Sequence, residues 1–362
     1  MRWSKERIWE WYNARPWIRG CNYMSADCAN RIDQWQELGF EERLKTTEEE
    51  FKLMQELGYN SIRIILEFIV WYEQHDGFME RFERYISLAD KYGISCMVVL
   101  ANDCMRPKSL EINKIGEQKF DIGYHGGRKL SQHGHQNEMG WHVLDDPDLA
   151  PRYFEMVKEI VTKYKDDERI IIWNVYNEVG NSKRTEVSKS NLKKMFDTVR
   201  KIDPCQPLTC EIWREFENIT EVERYGLEHS DIISFHSYAD YNANILLIKQ
   251  LKQFNRPILN TEWLARSIGN TVEEMFPLMY LEKIGCYNWG FVAGKYQTFE
   301  PWNIIWEDYA ENPDLKYDFT KWFHDLYRPN HRPYNPKETE LIKYYCDLAD
   351  RDFKEEQSKS SK

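Results

Sequence analysis

The stretch that decides the fold is IIIWNVYNEVGN, residues 170–181. Its first half is an unbroken apolar run, which is typical of a strand that other structure covers on both faces, as in a parallel sheet. The run leads directly into Asn177 and Glu178 and then into a Gly-Asn turn. A buried strand that ends on a carboxylate places this group at the carboxyl edge of a sheet, where the functional groups of α/β proteins gather.

Seven other apolar runs have the same character. Most are continuously hydrophobic rather than alternating, so we expect them to pair in one parallel sheet whose two faces are both covered. The eight predicted strands are Trp17–Asn22, Ser61–Leu66, Ile94–Leu100, Ile170–Tyr176, Pro207–Ile212, Ile232–His236, Pro257–Thr261 and Cys286–Phe291.

Amphipathic segments separate these strands. Apolar residues recur at helical spacing from Phe78 to Ala89, and again from Phe51 to Leu57 just before Gly58, which is typical of a helix C-terminus. Eight strands that alternate with eight helices predict the α/β class and a single (β/α)8 TIM barrel. A doubly wound open sheet is the alternative, but the glycine-rich nucleotide fingerprint after its first strand is missing. The other predicted helices are Asp148–Tyr164, Glu186–Ile202, Ile219–Glu228, Asn242–Phe254, Thr271–Ile284 and Leu315–Leu326.

Two segments fall outside the alternation. The connection Met105–Asp145 follows the third strand and is far longer than the ~12–15 residues usual in compact domains, so we expect it to cover the mouth of the barrel. Its candidates for lining the site are His125 and Trp141. The chain from residue 337 predicts one further helix and a flexible polar end, so the expected organisation is a catalytic barrel over 1–336 and a C-terminal extension over 337–362.

The composition argues against several classes of protein. Forty-nine basic and 60 acidic residues give a net charge of −11, whereas nucleic-acid binders concentrate basic residues. No apolar run approaches the ~20 residues that cross a bilayer, so we expect no membrane segment. The first residues carry charges throughout, unlike a secretory signal, and the eight cysteines form no CxxC pair. These features predict reduced thiols and a cytoplasmic location; the sequence does not indicate an oligomeric state.

Three predicted strands end in carboxylates. Glu178 ends the fourth strand and Glu262 the seventh, so both should face the same mouth of the barrel, and Asp103 follows the third. Two carboxylates that flank one bond provide the chemistry of glycoside hydrolysis, which requires no metal and no cofactor. We expect the carboxyl groups of Glu178 and Glu262 to lie ~5–5.5 Å apart, the separation of retaining enzymes.

Five motifs strengthen this hypothesis because they occur together and in order. They are NSIRI around Arg63, WNVYNE ending at Glu178, His236-Ser237-Tyr238, the TEW containing Glu262, and Asn288-Trp289. Together they resemble clan A of the glycoside hydrolases, with the cellulase-like family five and sequences often labelled endo-xylanase as the most similar members. The resemblance runs from about Trp17 to Trp322 and implies a TIM barrel that hydrolyses β-linked sugars with retention of configuration.

The resemblance also implies roles for individual residues. Glu178 corresponds to the acid/base and Glu262 to the nucleophile of a double displacement, and the substrate is a carbohydrate. Asn177 corresponds to the residue that binds the sugar hydroxyl at C2. The sugar itself is left open among glucose, mannose, galactose and xylose, and so is endo or exo action.

Four further residues would support these glutamates and the sugar. By the same resemblance, Arg63 and Tyr238 hold Glu262 ionised and oriented, and His236 lines the wall near the acid/base. Trp289 would be a platform for the apolar face of the sugar.

The third strand departs from the family pattern. Many relatives have a histidine near its end, where this chain has Ala101-Asn102-Asp103-Cys104. Asn102 and Asp103 are therefore the candidate substitutes at that subsite.

Two other classes of function compete with this interpretation. His133 and His135 form an H-x-H pair, as in metal-dependent barrel hydrolases, but they lie in a glycine-rich loop rather than at a strand tip. A non-catalytic carbohydrate-binding barrel would have lost one catalytic carboxylate, and this chain has both. We therefore expect no bound metal.

Overall fold

The computed structural model describes residues 1–110, 114–129 and 138–360. Its centre is a set of eight parallel strands, and each lies where the sequence predicts one. The strands are β1 (Arg19–Asn22), β2 (Ser61–Ile65), β3 (Ser95–Val99), β4 (Ile170–Asn174), β5 (Leu208–Thr209), β6 (Ile233–His236), β7 (Ile258–Trp263) and β8 (Gly285–Trp289).

Helices surround the strands, and most of them match the predicted segments. The helices are α1 (Lys5–Asn13), α2 (Arg31–Trp35), α3 (Phe40–Leu57), α4 (Phe68–Glu73), α5 (His75–Lys91), α6 (Ala150–Tyr164), α7 (Thr185–Ile202), α8 (Glu221–His229), α9 (Tyr241–Lys252), α10 (Val272–Leu281), α11 (Asn303–Glu311) and α12 (Pro336–Ser360).

The strands close into a barrel. Their order is β5-β4-β3-β2-β1-β8-β7-β6, with parallel pairing throughout. The two end strands meet through a parallel bridge between Ile212 and Phe235, where the backbone N–H of His236 donates to the carbonyl of Ile212 at 2.8 Å. The structure confirms the predicted (β/α)8 barrel. Because all strands run in one direction, their carboxyl ends form one mouth.

One predicted helix is wrong. Residues 315–326 are irregular, and the helix in this part of the chain is α11, which begins twelve residues earlier at Asn303. The apolar spacing that suggested a helix comes from aromatic residues that stack on other segments: Phe319 lies 3.9 Å from Trp306, and Trp322 lies 4.8 Å from Tyr334, between ring centroids. In addition, Asp318 accepts hydrogen bonds from both the backbone and the hydroxyl of Thr320, which favours a turn over a helix.

The C-terminal helix completes the outer ring. α12 packs between α10 and α3, with Ile342 and Cys346 fully buried. It therefore occupies the position of the helix that follows β8. The segment that the sequence predicts as a flexible polar end is helical as far as Ser360.

The N-terminal end of the barrel is plugged. Trp3, Ile8 and Tyr12, in and just before α1, are buried against side chains of the strands and of the residues that directly precede them. Burial of a large apolar side chain contributes about 1.5–3 kcal/mol to the free energy of unfolding. The three side chains therefore both close this end of the barrel and stabilise it. The residues packed with them are Ile18, Met97, Ile171, Ile172, Ile232, Leu259 and Tyr287.

Two other features bear on earlier expectations. All eight cysteines are free. Within the described residues, no helix combines the length and the apolar character needed to cross a bilayer.

Candidate active site

A cavity of about 840 Å³ opens at the carboxyl mouth of the barrel, within the size range of small-molecule and sugar sites. Its wall combines strand ends with the connection that follows β3. That connection supplies His125 and Trp141, in the position that the sequence predicts. Of the other sequence-predicted site residues, the structure brings the following to the wall: Asn102, Asn177, Glu178, His236, Tyr238, Glu262 and Trp289.

Glu262 lies at the end of β7 and is held by two donors. Arg63 donates from Nη1 to one carboxylate oxygen at 2.7 Å, and the Tyr238 hydroxyl donates to the other at 2.8 Å. Burial, together with the charge of Glu178, raises the pKa of Glu262 above 4.5, against the opposing charges of His236 and Arg63. Both donors stabilise the ionised form and fix the plane of the carboxylate.

Arg63 forms the floor of the site rather than its wall. Its guanidinium is almost fully buried in the barrel interior, and Arg63 is the central residue of β2. Besides Glu262 it donates to the side-chain oxygens of Asn22, Asn174 and Asn177. These contacts saturate the guanidinium, so Arg63 positions other side chains and leaves no donor for a sugar.

Glu178 follows β4 in a backbone conformation that is unusual for a glutamate. Its φ is 42°, in the left-handed region, which costs on the order of 1 kcal/mol for a residue with a side chain. One carboxylate oxygen is 2.8 Å from Nδ1 of His236, and the other accepts from the thiol of Cys104 at 2.9 Å. Ligating atoms of Glu178, His236 and Glu262 all lie within 4.8 Å of one another. The two carboxylates therefore face each other at the short separation of retaining enzymes rather than the ~6.5–9.5 Å of inverting ones.

The contact between Glu178 and His236 shifts the pKa values of both groups. Burial alone would raise the pKa of Glu178, but the hydrogen bond and charge of His236, with hydrogen bonds from Cys104 and Asn181, lower it to about 2. Burial lowers the pKa of His236, but the charges of Glu262, Glu211 and Glu178 outweigh it, and the net shift is upward from 6.5. Both shifts favour an ionised Glu178 beside a charged His236.

Glu211 is a third carboxylate of the site that the sequence reasoning missed. It follows β5, is fully buried, and accepts hydrogen bonds from the backbone N–H of Glu178 at 2.7 Å and from the Asn174 amide at 2.8 Å. Its carboxylate is also 3.4 Å from Arg63 and 3.7 Å from Nε2 of His236. The sequence feature that could have identified Glu211 is the run LTCEIW, a third apolar run that leads to a glutamate.

These contacts give Glu211 two separable effects. By accepting from the backbone of Glu178, it stabilises the left-handed conformation that aims this side chain at the cavity. By its charge, it raises the pKa of His236. We assign Glu211 as a positioning residue, because Glu178 and His236 lie between it and the cavity.

Glu211→Gln is expected to lower kcat/KM about 10- to 100-fold, which corresponds to one or two charge-assisted contacts. Removal of the negative charge lowers the pKa of His236, so the alkaline limb of the pH profile of kcat/KM should move to lower pH. Glu211→Asp, which keeps the charge, is the matched control and should lose rate without that displacement. An unchanged alkaline limb in Glu211→Gln would show that Glu211 acts by packing alone.

Asp103 does not belong to the site, contrary to the sequence-based prediction. Its side chain is fully buried behind the wall, where it accepts from Arg184 at 2.7 Å, the Tyr176 hydroxyl at 3.0 Å and the backbone N–H of Gly180 at 2.7 Å. Arg184 also pairs with Asp145, at the far end of the long connection. Asp103 therefore fastens that connection to the turn after β4, which is a structural role.

Asn102 takes the position at the end of β3 that faces the cavity. It forms a parallel bridge with Asn177, and its side-chain oxygen accepts from the Asn177 amide at 2.7 Å. With Arg63 holding the Asn177 oxygen, this contact fixes both ends of the amide. Cys104 is the other residue of this segment that touches the site, and nothing in the sequence marked it.

Aromatic residues complete the wall. Trp289, at the end of β8, lines the cavity as predicted and is half-buried. Two tryptophans that the sequence reasoning did not single out also line it. Trp213 follows β5 and donates from its ring to the carbonyl of Val179 at 3.1 Å, and Trp302 packs edge-on against Tyr238 at 4.8 Å.

The residues best placed to hold a metal ion coincide with this site. In the described part of the chain, Glu178, His236 and Glu262 are the one group whose ligating atoms converge. These atoms already bond to one another or to Arg63 and Tyr238, so a cation there would compete with the charge of Arg63. The H-x-H pair His133 and His135, on which the metal-dependent alternative depends, lies outside the described residues.

The chain matches a known family over most of its length. Residues 26–294 of the 362 match the cellulase family (glycosyl hydrolase family 5). The chain belongs to glycosyl hydrolase family 5. The predicted membership of the cellulase-like family five in clan A is thereby confirmed. Members of family 5 are retaining enzymes that cleave β-linked glycosides by double displacement with two glutamates, and the protein is a glycoside hydrolase of this kind.

Solved structures of other proteins share the fold. An exo-β-1,4-mannosidase from Opitutaceae bacterium strain TAV5 is 14% identical, with 93% of this chain covered and a TM-score of 0.57; this chain spans only 60% of its length. A family 5 mannosidase from Rhizomucor miehei is 14% identical, with 94% of each chain covered and a TM-score of 0.55. A GH5_18 protein from Streptomyces cattleya in complex with GlcNAc is 12% identical, with 94% and 81% covered and a TM-score of 0.59. No curated protein sequence matches the chain.

Proposed function

We propose that Glu178 is the acid/base and Glu262 the nucleophile of a retaining β-glycosidase whose substrates are β-linked mannosides. The observation that carries the catalytic assignment is the pair of carboxylates facing each other within 4.8 Å at the ends of β4 and β7. The sugar is proposed from the mannosidases and mannanases among the similar structures.

The contacts of each glutamate support its role. A nucleophile must stay ionised, and Glu262 receives donors from Arg63 and Tyr238, which favour the carboxylate. An acid/base must accept and release a proton, and the partner of Glu178 is His236, a side chain whose proton is mobile near neutral pH.

The proposed first step begins with this proton. As the glycosidic oxygen approaches Glu178, the proton on Nδ1 of His236 passes to the carboxylate and from there to the leaving oxygen. The C–O bond to the leaving group breaks as Glu262 attacks the anomeric carbon, which gives a glycosyl ester. In the second step Glu178 accepts a proton from water, the water oxygen attacks the same carbon, and the ester breaks to release a sugar with the original β configuration.

The pKa shifts define the pH range in which Glu262 is ionised while the Glu178–His236 pair is protonated. Attack requires Glu262 to be ionised, and its pKa is raised above 4.5, so the acid limb of kcat/KM lies above that value. Delivery of the proton requires the Glu178–His236 pair to be protonated, and the pKa of His236 is raised above 6.5. We therefore propose a bell-shaped profile whose alkaline limb lies above pH 6.5.

Asn177 and Trp289 are proposed to bind the sugar in the reacting subsite. The Asn177 amide lies beside Glu178 with its orientation fixed by Arg63 and Asn102, as a contact to the C2 hydroxyl requires. Trp289 offers a half-buried indole face on the cavity wall. Trp141 and Asn102 are proposed to contact the substrate from the side of β3.

A panel of aryl β-glycosides tests the proposed sugar. We expect the β-mannoside to give a kcat/KM at least about tenfold above the β-glucoside, β-galactoside and β-xyloside, the discrimination that one well-placed hydroxyl contact provides. β-1,4-Mannobiose and Manβ1-4GlcNAc, analysed by NMR during turnover, should release a β anomer first. An α anomer as first product would remove the retaining assignment. Binding of these sugars without hydrolysis of any would favour the non-catalytic barrel.

A further inference from the structure

Among the described residues, two arginines of the cavity wall have no side-chain partner. Arg31 and Arg106 are half-buried and line the cavity, and within the described residues neither forms a hydrogen bond, an ion pair or a ring contact through its side chain. Every other described arginine that is buried or half-buried has such a contact. In a chain with 60 acidic residues, a half-buried guanidinium without an acceptor needs an explanation.

The two arginines follow β1 and β3, which only β2 separates in the barrel. Arg31 is the first residue of α2, which follows β1, and Arg106 follows β3, two residues beyond Cys104. Arg31 and Cys104 line the same cavity, where burial and the charge of Glu178 raise the pKa of Cys104 and the smaller effect of the Arg31 charge lowers it. The Cys104 thiol in turn donates to Glu178.

The opposite side of the mouth has a different character. The segment after β5 presents Trp213 and Phe216, and helix α9 presents Leu246. Two carboxylates there, Glu215 and Glu217, accept hydrogen bonds from the side chains of Asn218 and Gln250 respectively. The charged groups on this side therefore already have partners, Arg214 with Glu223 among them, whereas Arg31 and Arg106 have none among the described residues.

One acidic residue lies near the arginines. Glu67 is on the same wall, next to Phe68, and has a contact of its own. Neither arginine forms an ion pair with it or with any other described carboxylate. The guanidinium groups remain the unmatched charges of this wall.

We propose that Arg31 and Arg106 form a subsite for an anionic substituent on the sugar chain, either the carboxylate of a uronic acid or a sulfate ester. The inference rests on the proposed glycosidase function and specifies its substrate. Guanidinium groups suit both anions because their planar donors match two acceptor oxygens at once. A neutral sugar would leave both charges half-buried and unpaired, whereas an anionic unit would satisfy them. Screening by salt should weaken this attraction, since the site is open to solvent.

Calorimetric binding tests the subsite separately from hydrolysis. The probes are a neutral β-1,4-linked mannose disaccharide, the same disaccharide with C6 of either ring oxidised to a carboxylate, and the same with a sulfate ester at O6. They are titrated into Glu262→Gln protein to prevent turnover. We expect at least one anionic probe to bind about tenfold tighter than the neutral one at about 20 mM salt, with the advantage reduced at about 200 mM. Comparison of the affinities of the carboxylate and sulfate probes identifies which anion the subsite prefers.

Variants then locate the effect. Arg31→Gln and Arg106→Gln, added singly to the same background, should each remove most of the anionic preference, and Arg31→Lys should keep part of it. Arg224→Gln, at an exposed arginine of α8 whose side chain also has no partner in the described part of the chain, is the matched control and should leave the preference intact. Equal binding of neutral and anionic probes, or a preference that survives both glutamine variants, would overturn the subsite. Absence of hydrolysis by the wild-type protein on every probe would instead refute the proposed function and leave the binding result standing.

Discussion

Glu262→Ala is expected to reduce kcat/KM by on the order of 10⁵-fold for every glycoside, because no covalent intermediate can form without the nucleophile. The loss should not depend on the leaving group, since attack at the anomeric carbon fails whatever departs. Stopped-flow assays with dinitrophenyl glycosides should show no burst of released phenol. The measurement is the initial rate for two leaving groups of different acidity.

Azide provides the control for that variant. In Glu262→Ala the small anion can enter only the face that the carboxylate vacated, so any product should be an α-linked glycosyl azide. Glu262→Asp, which keeps the charge but retracts the oxygen, should recover a small part of the activity with the normal β product. A β-linked azide from Glu262→Ala would mean that Glu262 is not the nucleophile.

Glu178→Ala is expected to depend strongly on the leaving group. For alkyl or sugar leaving groups the loss should reach about 10⁴-fold, because their oxygen must be protonated as it departs, whereas dinitrophenol departs unaided and the first step should be largely spared. The glycosyl ester on Glu262 should then accumulate, since no base activates water. Mass spectrometry of the intact protein should detect the added sugar.

Azide also tests the role of Glu178, because it can enter the space that this side chain leaves in Glu178→Ala. It needs no deprotonation, so it should restore turnover of Glu178→Ala and give a β-linked azide. His236→Asn is the matched variant, because it keeps Glu178 but removes its proton partner. We expect a narrower pH profile of kcat/KM for this variant, and we expect azide not to increase its rate. An α-linked azide from Glu178→Ala would reverse the two assignments.

The barrel and the reacting pair could be predicted because both depend on local features of the chain. A continuous apolar run such as Ile170–Trp173 has few alternatives to a strand covered on both faces, and the parallel arrangement brings all strand ends together. Glu178 and Glu262 therefore meet as a consequence of topology, although 84 residues separate them in the sequence.

The other features depend on contacts that spacing does not encode. Asp103 looked like a site residue because it ends a strand, and only the buried Arg184 on the far side of the wall shows that it points away. Glu211 was overlooked although it lies in the predicted strand Pro207–Ile212, because its role depends on contacts with Asn174, His236 and the backbone of Glu178. The aromatic spacing of residues 315–326 imitated a helix because stacking partners elsewhere in the chain decide where those rings lie.

The position of α12 has a consequence for truncated chains. Its Cys346 sits directly against Gly58 at the end of α3, where a Cβ would lie only 2.6 Å from the cysteine Cβ. A chain that lacks this helix leaves the apolar groove between α3 and α10 uncovered. Chains shortened before Ile342 should therefore be recognised by chaperones and proteases rather than persist as stable barrels.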